Sequence, residues 1–223
     1  MKIEILVPEN LNDITLGQYQ KFLKISKDKE DSLFLNQKMI EIFCEIELKQ
    51  VLEIKYTSLE KIILHLTKLF QQKPKFKQSF NKGNNVFSFI PQLDDMTFGE
   101  YIDLDSTLKD WETMDKAMGV LFRPETQRHK HKYLIEPYDN YDSYDMQKMP
   151  LDVVLGSLVF FWNLSKELIN HIPSYFLHQM ESLTSQQKQT LEESGVGILA
   201  FMDLVRETSQ KLTMLPDCHY INA

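Results

Sequence analysis

Asp13-Ile14-Thr15-Leu16-Gly17-Gln18-Tyr19 returns later in the chain as Asp95-Met96-Thr97-Phe98-Gly99-Glu100-Tyr101. Both stretches read as helix starts. Thr15 and Thr97 stand at the N-cap with Gln18 and Glu100 at N3, which completes a Thr-x-x-Gln/Glu capping box. Ile14 and Met96 precede the caps, where they can pack on Tyr19 and Tyr101 as a hydrophobic staple. The second helical position is glycine in both copies, although glycine costs about 1 kcal/mol against alanine within a helix. Close approach of another backbone is the reading that accounts for it.

Each copy follows a short alternating apolar stretch ending in proline, Ile3 to Pro8 and then Val86 to Pro91. Further on, Ser58-Leu59-Glu60 opens a helix with apolar positions Leu59, Ile62, Ile63, Leu66, Leu69 and Phe70. Pro150-Leu151-Asp152 opens another, with Leu151, Val154, Leu155, Leu158, Phe161 and Trp162 at the same offsets. Serine and proline both open helices well, and the acid that follows suits the positive end of the helix dipole. Between these markers each half has room for a middle helix, from about Leu33 to Ile54 and from about Lys109 to Phe122. The alternative is chance recurrence of a common capping pattern.

The expected fold is therefore mainly α with a small β-sheet or hairpin: two pseudo-repeated helical units and a C-terminal helical region. Residues 1–85 form the first unit with an N-terminal strand, and 86–172 the second, interrupted by an inserted loop at 124–149. Residues 173–223 hold C-terminal helices, from about Ser185 to Leu212, and a tail from Pro216. Lys75 to Phe80 and Val86 to Ile90 read as a hairpin around a glycine-bearing turn, which the N-terminal strand could join. Tyr133 to Glu136 reads as another short strand.

Composition bounds the function. With 223 residues, 43% apolar and 26% charged, the chain can bury a sizeable core and is not of a disordered type. A formal charge of -7 favours solubility and argues against broad binding to nucleic acid. The most apolar run, Leu151 to Leu164, falls short of the roughly 20 residues that span a bilayer. The N-terminus lacks the apolar core of a signal peptide. Cys44 and Cys218, the two cysteines, supply neither a disulfide framework nor zinc spacing, and a reducing compartment fits. Cys44 lies in an apolar helical pattern and is expected to be buried.

Candidate sites are few. Arg128-His129-Lys130-His131-Lys132 could touch phosphate or offer two imidazoles to a metal, but its three cations disfavour a dication and a solvated loop is the simpler reading. The stretch from Tyr138 to Asp145 lacks the glycine and glutamate of an EF-hand loop and reads as an interaction loop or a plain surface loop. His65, His171 and His178 have no partners at metal-binding offsets, and Asp94 and Asp95 suit the helix start they precede. No nucleophile-elbow glycines surround a serine, and the 7 glycines form no phosphate-binding loop. The expectation is a non-enzyme with no catalytic residue, cofactor or metal. Surface for partners is expected from the helix of the 150s, including Phe160, Phe161 and Trp162, and from Phe76, Phe80, Phe87 and Phe89 of the hairpin.

Several of these stretches together resemble a group of small structural or assembly proteins of tailed bacteriophages, including crAss-like phages of Bacteroidetes. The resemblance runs through Met96 to Leu104, Lys116-Ala117-Met118-Gly119-Val120-Leu121-Phe122-Arg123-Pro124, Tyr133 to Tyr138, and Met149 to Gly156. It covers roughly residues 86–170, with the N-terminal motif as a weaker echo, and leaves the region after 170 unmatched. The layout is also similar to tail-assembly chaperones, with a helix ending in Leu-x-Arg-Pro before an acid-bearing helix. The resemblance implies a virion component of the tail, the connector or the internal cargo, assembled in the host cytoplasm. Its partners would be other virion or tail proteins, with self-association an open alternative. The runner-up is a non-virion tail-assembly chaperone that binds tail proteins before assembly, and a third reading is a small enzyme or host-directed inhibitor.

Overall fold

A computed structural model describes residues 5–27, 32–130, 132–161 and 163. The chain separates into two compact units between Ser157 and Leu158, and the first of them holds the described residues up to 157. The C-terminal helices and tail expected after residue 173 lie outside the described residues, as does Trp162.

The protein is mainly helical with one four-stranded antiparallel sheet. Among the described residues there are seven α-helices: α1 (Leu16–Ser26), α2 (Ser32–Phe43), α3 (Leu48–Leu52), α4 (Tyr56–Phe70), α5 (Phe98–Thr107), α6 (Met114–Leu121) and α7 (residues 151–161). The strands β1 (Ser79–Lys82), β2 (Asn85–Phe89), β3 (Phe122–His129) and β4 (Lys132–Ile135) lie in the order β1-β2-β3-β4. Both capping motifs begin helices where the sequence places them. Thr15 and Thr97 are extended N-caps whose side chains accept from the N–H of Gln18 and Glu100, and each box closes reciprocally.

Elsewhere the boundaries shift. The expected middle helix of the first half breaks into α2 and α3, because Glu45 takes a left-handed conformation with φ 52°. No glycine or proline marks that break. The middle helix of the second half shortens to a 3-10 turn at Trp111–Thr113 followed by α6, and Phe122 leaves in an extended conformation. Pro124 disfavours helix at the residue before it, so the chain turns into β3 there. The apolar helix of the first half starts at Tyr56, ahead of the expected Ser58. Residues 5–8 are not in a strand, so the described part of the N-terminus does not join the sheet.

The segment 124–149, expected as an inserted loop, carries most of β3, all of β4 and a strap of residues 136–145. Of the four hairpin phenylalanines expected as surface for partners, Phe80, Phe87 and Phe89 are core, and Phe76 is half-buried with its ring edge to face with Phe89. Phe87 and Phe89 share a face of β2, Phe80 lies opposite Phe87 in register, and all three are buried. Phe80 and Phe89 both meet the fully buried Phe122 edge to face, at centroid distances of 5.6 and 5.3 Å. Helix α7 enters this core with residues 151–157 all buried, so its start is no free surface either.

Candidate interaction surface

The two capping motifs share a sequence pattern but not an environment. At the first, the start of α7 lies across the start of α1. Thr15 and Pro150 form an antiparallel bridge, Leu16 N–H donates to Met149 C=O at 2.9 Å, and Leu151 N–H donates to Ile14 C=O at 2.8 Å. Each helix thus satisfies one orphan N–H at the start of the other. Ile14, Leu16, Met149 and Leu151 are all fully buried in this contact. Gly17 explains itself here: a Cβ would stand 3.1 Å from Gln147 Cβ and 3.2 Å from its carbonyl oxygen. Tyr19 is buried between Phe70 and Trp111, with centroid distances of 5.8 and 4.9 Å.

At the second motif the same face is bare. Phe98 is 78% exposed, Tyr101 56% and Ile102 48%. Their i, i+3 and i+4 spacing places them together on one side of α5. A Cβ on Gly99 would meet nothing within 4 Å. Tyr101 is thus exposed where its counterpart Tyr19 is buried. Three large apolar side chains thus stand together on one helical face open to water.

What anchors that face is ionic. Glu100 at N3 accepts from Thr97 N–H at 2.6 Å and pairs with Arg123 of β3 at 2.7 Å, both side chains being almost wholly buried. Burial alone would raise the Glu100 carboxyl, but hydrogen bonds from Thr97 and the Arg123 guanidinium more than offset it and hold the group below the ordinary glutamate range. Arg123 also lies over the Tyr138 ring at 5.6 Å, and its Nε is buried without a hydrogen-bond partner. The Tyr138 hydroxyl donates to Asp103 at 2.5 Å, and burial together with that carboxylate pushes its pKa up. The cluster fixes α5 to the sheet while its opposite face looks outward. Sequence spacing hid this pairing, since only the fold brings α5 against β3.

Among the other sequence candidates, the basic cluster occupies the turn of the β3–β4 hairpin, where Lys130 is left-handed at φ 54°. His131 of that cluster lies outside the described residues. Arg128 is committed to Glu125 and to the Tyr133 ring. In the acidic tyrosine stretch Tyr138, Tyr141 and Tyr144 are half-buried against the fold, while Asp139, Asn140, Asp142, Ser143 and Asp145 between and beside them are exposed. Tyr141 carbonyl oxygen would stand 2.3 Å from a Cβ on Gly119 of α6. Tyr144 hydrogen-bonds Glu136, and burial with that carboxylate raises its pKa to about 12. His65 Nε2 meets Pro8 C=O at 2.8 Å. Cys44 is buried as expected, and desolvation raises its thiol to about 11. Among the described residues no cluster could hold a metal ion, and no helix is long and apolar enough to cross a membrane.

In comparisons with protein-family models, with curated proteins and with solved structures, the chain matches none.

Proposed function

We propose that this chain is a virion-associated structural protein of a tailed bacteriophage, a component of the tail, the connector or the internal cargo that works by packing against other proteins. The observation that carries the reading is the apolar face of α5, where Phe98, Tyr101 and Ile102 stand open to water on a helix tied to the sheet by a buried ion pair. A preorganised apolar face on a stiff element suits a standing protein contact, because little order has to be imposed when the partner arrives. The likeness of residues 86–170 to phage structural and assembly proteins supplies the biological setting.

Quantitative mass spectrometry of purified particles beside the infected-cell lysate tests this. The expected result is presence in particles at a fixed ratio to known virion proteins. Abundance in the lysate with absence from particles would overturn the virion reading and favour a tail-assembly chaperone.

A further inference from the structure

We infer that β4 is a pairing edge for a second copy of this chain: two β4 strands meet antiparallel about a two-fold axis at Leu134, and each Lys132 faces the partner's Glu136. The surface is separate from the α5 face, so the inference goes beyond the packing role proposed above and stands or falls apart from it.

The backbone of the free edge sets the register. β4 pairs with β3 on one side, and among the described residues no strand or backbone group pairs with its other side. Glu136 N–H donates to Pro124 C=O of β3, so Glu136 turns its backbone groups inward. Successive residues of an antiparallel ladder face alternate sides. Lys132 and Leu134 therefore also turn inward, while Tyr133 and Ile135 present N–H and C=O to the open edge. Within the strand, both are answered when Tyr133 exchanges hydrogen bonds with the partner's Ile135. Two-fold symmetry supplies the reciprocal exchange, because a self-pairing edge is isologous. Leu134 then falls on the axis, opposite its own copy.

The side chains agree with that register. Lys132, Leu134 and Glu136 share one face of the strand, since side chains alternate along it. Leu134 is 59% exposed, and a non-hydrogen-bonded antiparallel pair brings its Cα to about 4.5 Å from that of its copy, so each leucine helps to cover the other. Lys132 is exposed and makes no ion pair among the described residues. In the two-fold pair it comes directly opposite the partner's Glu136. Opposite charges so placed favour pairing, and like charges oppose it. A lysine on an edge strand ordinarily discourages pairing. Here it selects the register that supplies a carboxylate.

The flanking sequence repeats the same polarity. The basic cluster from Arg128 to Lys132 leads into the strand, and the acidic stretch that ends at Asp145 follows it. Antiparallel pairing lays the basic turn of each copy toward the acidic stretch of the other. The opposite sheet edge lacks this property. Around β1, between Lys73 and Asn85, the chain has Lys75, Lys77 and Lys82 and no carboxylate, so self-pairing there would set lysine against lysine. The order of charges along the chain, and not an open edge as such, singles out β4.

Disulfide trapping of the full-length chain in a Cys218→Ser background tests the register, with the buried Cys44 left in place. Leu134→Cys should form a covalent dimer on mild oxidation, since about 4.5 Å between Cα atoms lies within disulfide reach. Leu64→Cys, exposed to nearly the same extent on α4, gives the collisional background and should stay largely monomeric. Adding Lys132→Glu to Leu134→Cys should abolish trapping, and adding Glu136→Lys to that chain should restore it. An unchanged circular dichroism spectrum under reducing conditions confirms the fold of each variant. A Leu134→Cys chain that traps no better than Leu64→Cys, or trapping indifferent to the charge changes, would overturn the inference.

Discussion

Gln18 and Glu100 occupy the same N3 position of the same capping box, and the difference between them follows from what each meets beyond the box. Gln18 Oε1 accepts from Thr15 N–H at 2.8 Å, which frees its Nε2 to donate to Ile42 C=O and to Glu45. It thereby satisfies one carbonyl where α2 ends and holds the side-chain carboxylate of the left-handed Glu45. Glu100 has a guanidinium beside it and needs a charge. Glu100→Gln keeps the cap but leaves Arg123 buried without a counter-ion, and should cost roughly 3–5 kcal/mol in chemical denaturation. Replacing Arg123 with Met in that background should recover part of the loss. The pH dependence has a definite sign. A carboxylate held below its ordinary range contributes stability that is present above about pH 4.3 and is lost as pH falls through its folded value. The acid limb of the wild-type stability curve should therefore be steeper than that of Glu100→Gln.

Elements were legible in the sequence where capping and periodicity agreed. The starts of α1 and α5, the second strand of the β1–β2 hairpin, β4 and the apolar α7 all follow local chemistry that needs no tertiary partner to be read, whereas the first hairpin strand, expected at Lys75 to Phe80, forms at Ser79–Lys82. The break at Glu45 was not legible, because no residue near it prefers a positive φ and the stabilising groups come from Gln18, far away in the chain. The strap over α6 and the pairing of Glu100 with Arg123 were hidden for the same reason. Half of the candidate surface was legible: the repeated motif was, but not that one copy is covered and the other bare. Two substitutions separate these environments. Gly119→Ala drives a Cβ into the Tyr141 carbonyl and should destabilise by roughly 1–3 kcal/mol. Gly99→Ala meets open space and should stabilise the isolated chain by up to about 1 kcal/mol in thermal unfolding. Met149→Ala, which empties the wedge between α1 and α7, should cost about 2–5 kcal/mol.

The protein uses the same device twice with different ends. One capping motif, joined to α7, closes the chain on itself. The other is tied to β3 by the Glu100–Arg123 pair and presents its apolar face outward. The net charge of -7 opposes nonspecific association of chains that carry such a face. Hydroxyl-radical footprinting of the free chain and of purified phage particles decides whether the α5 face is a standing interface. Phe98 and Tyr101 should be oxidised in the free chain and protected in particles, while the buried Tyr19 stays protected in both. Equal oxidation of Phe98 and Tyr101 in the two states would refute the assignment of α5 as the packing surface.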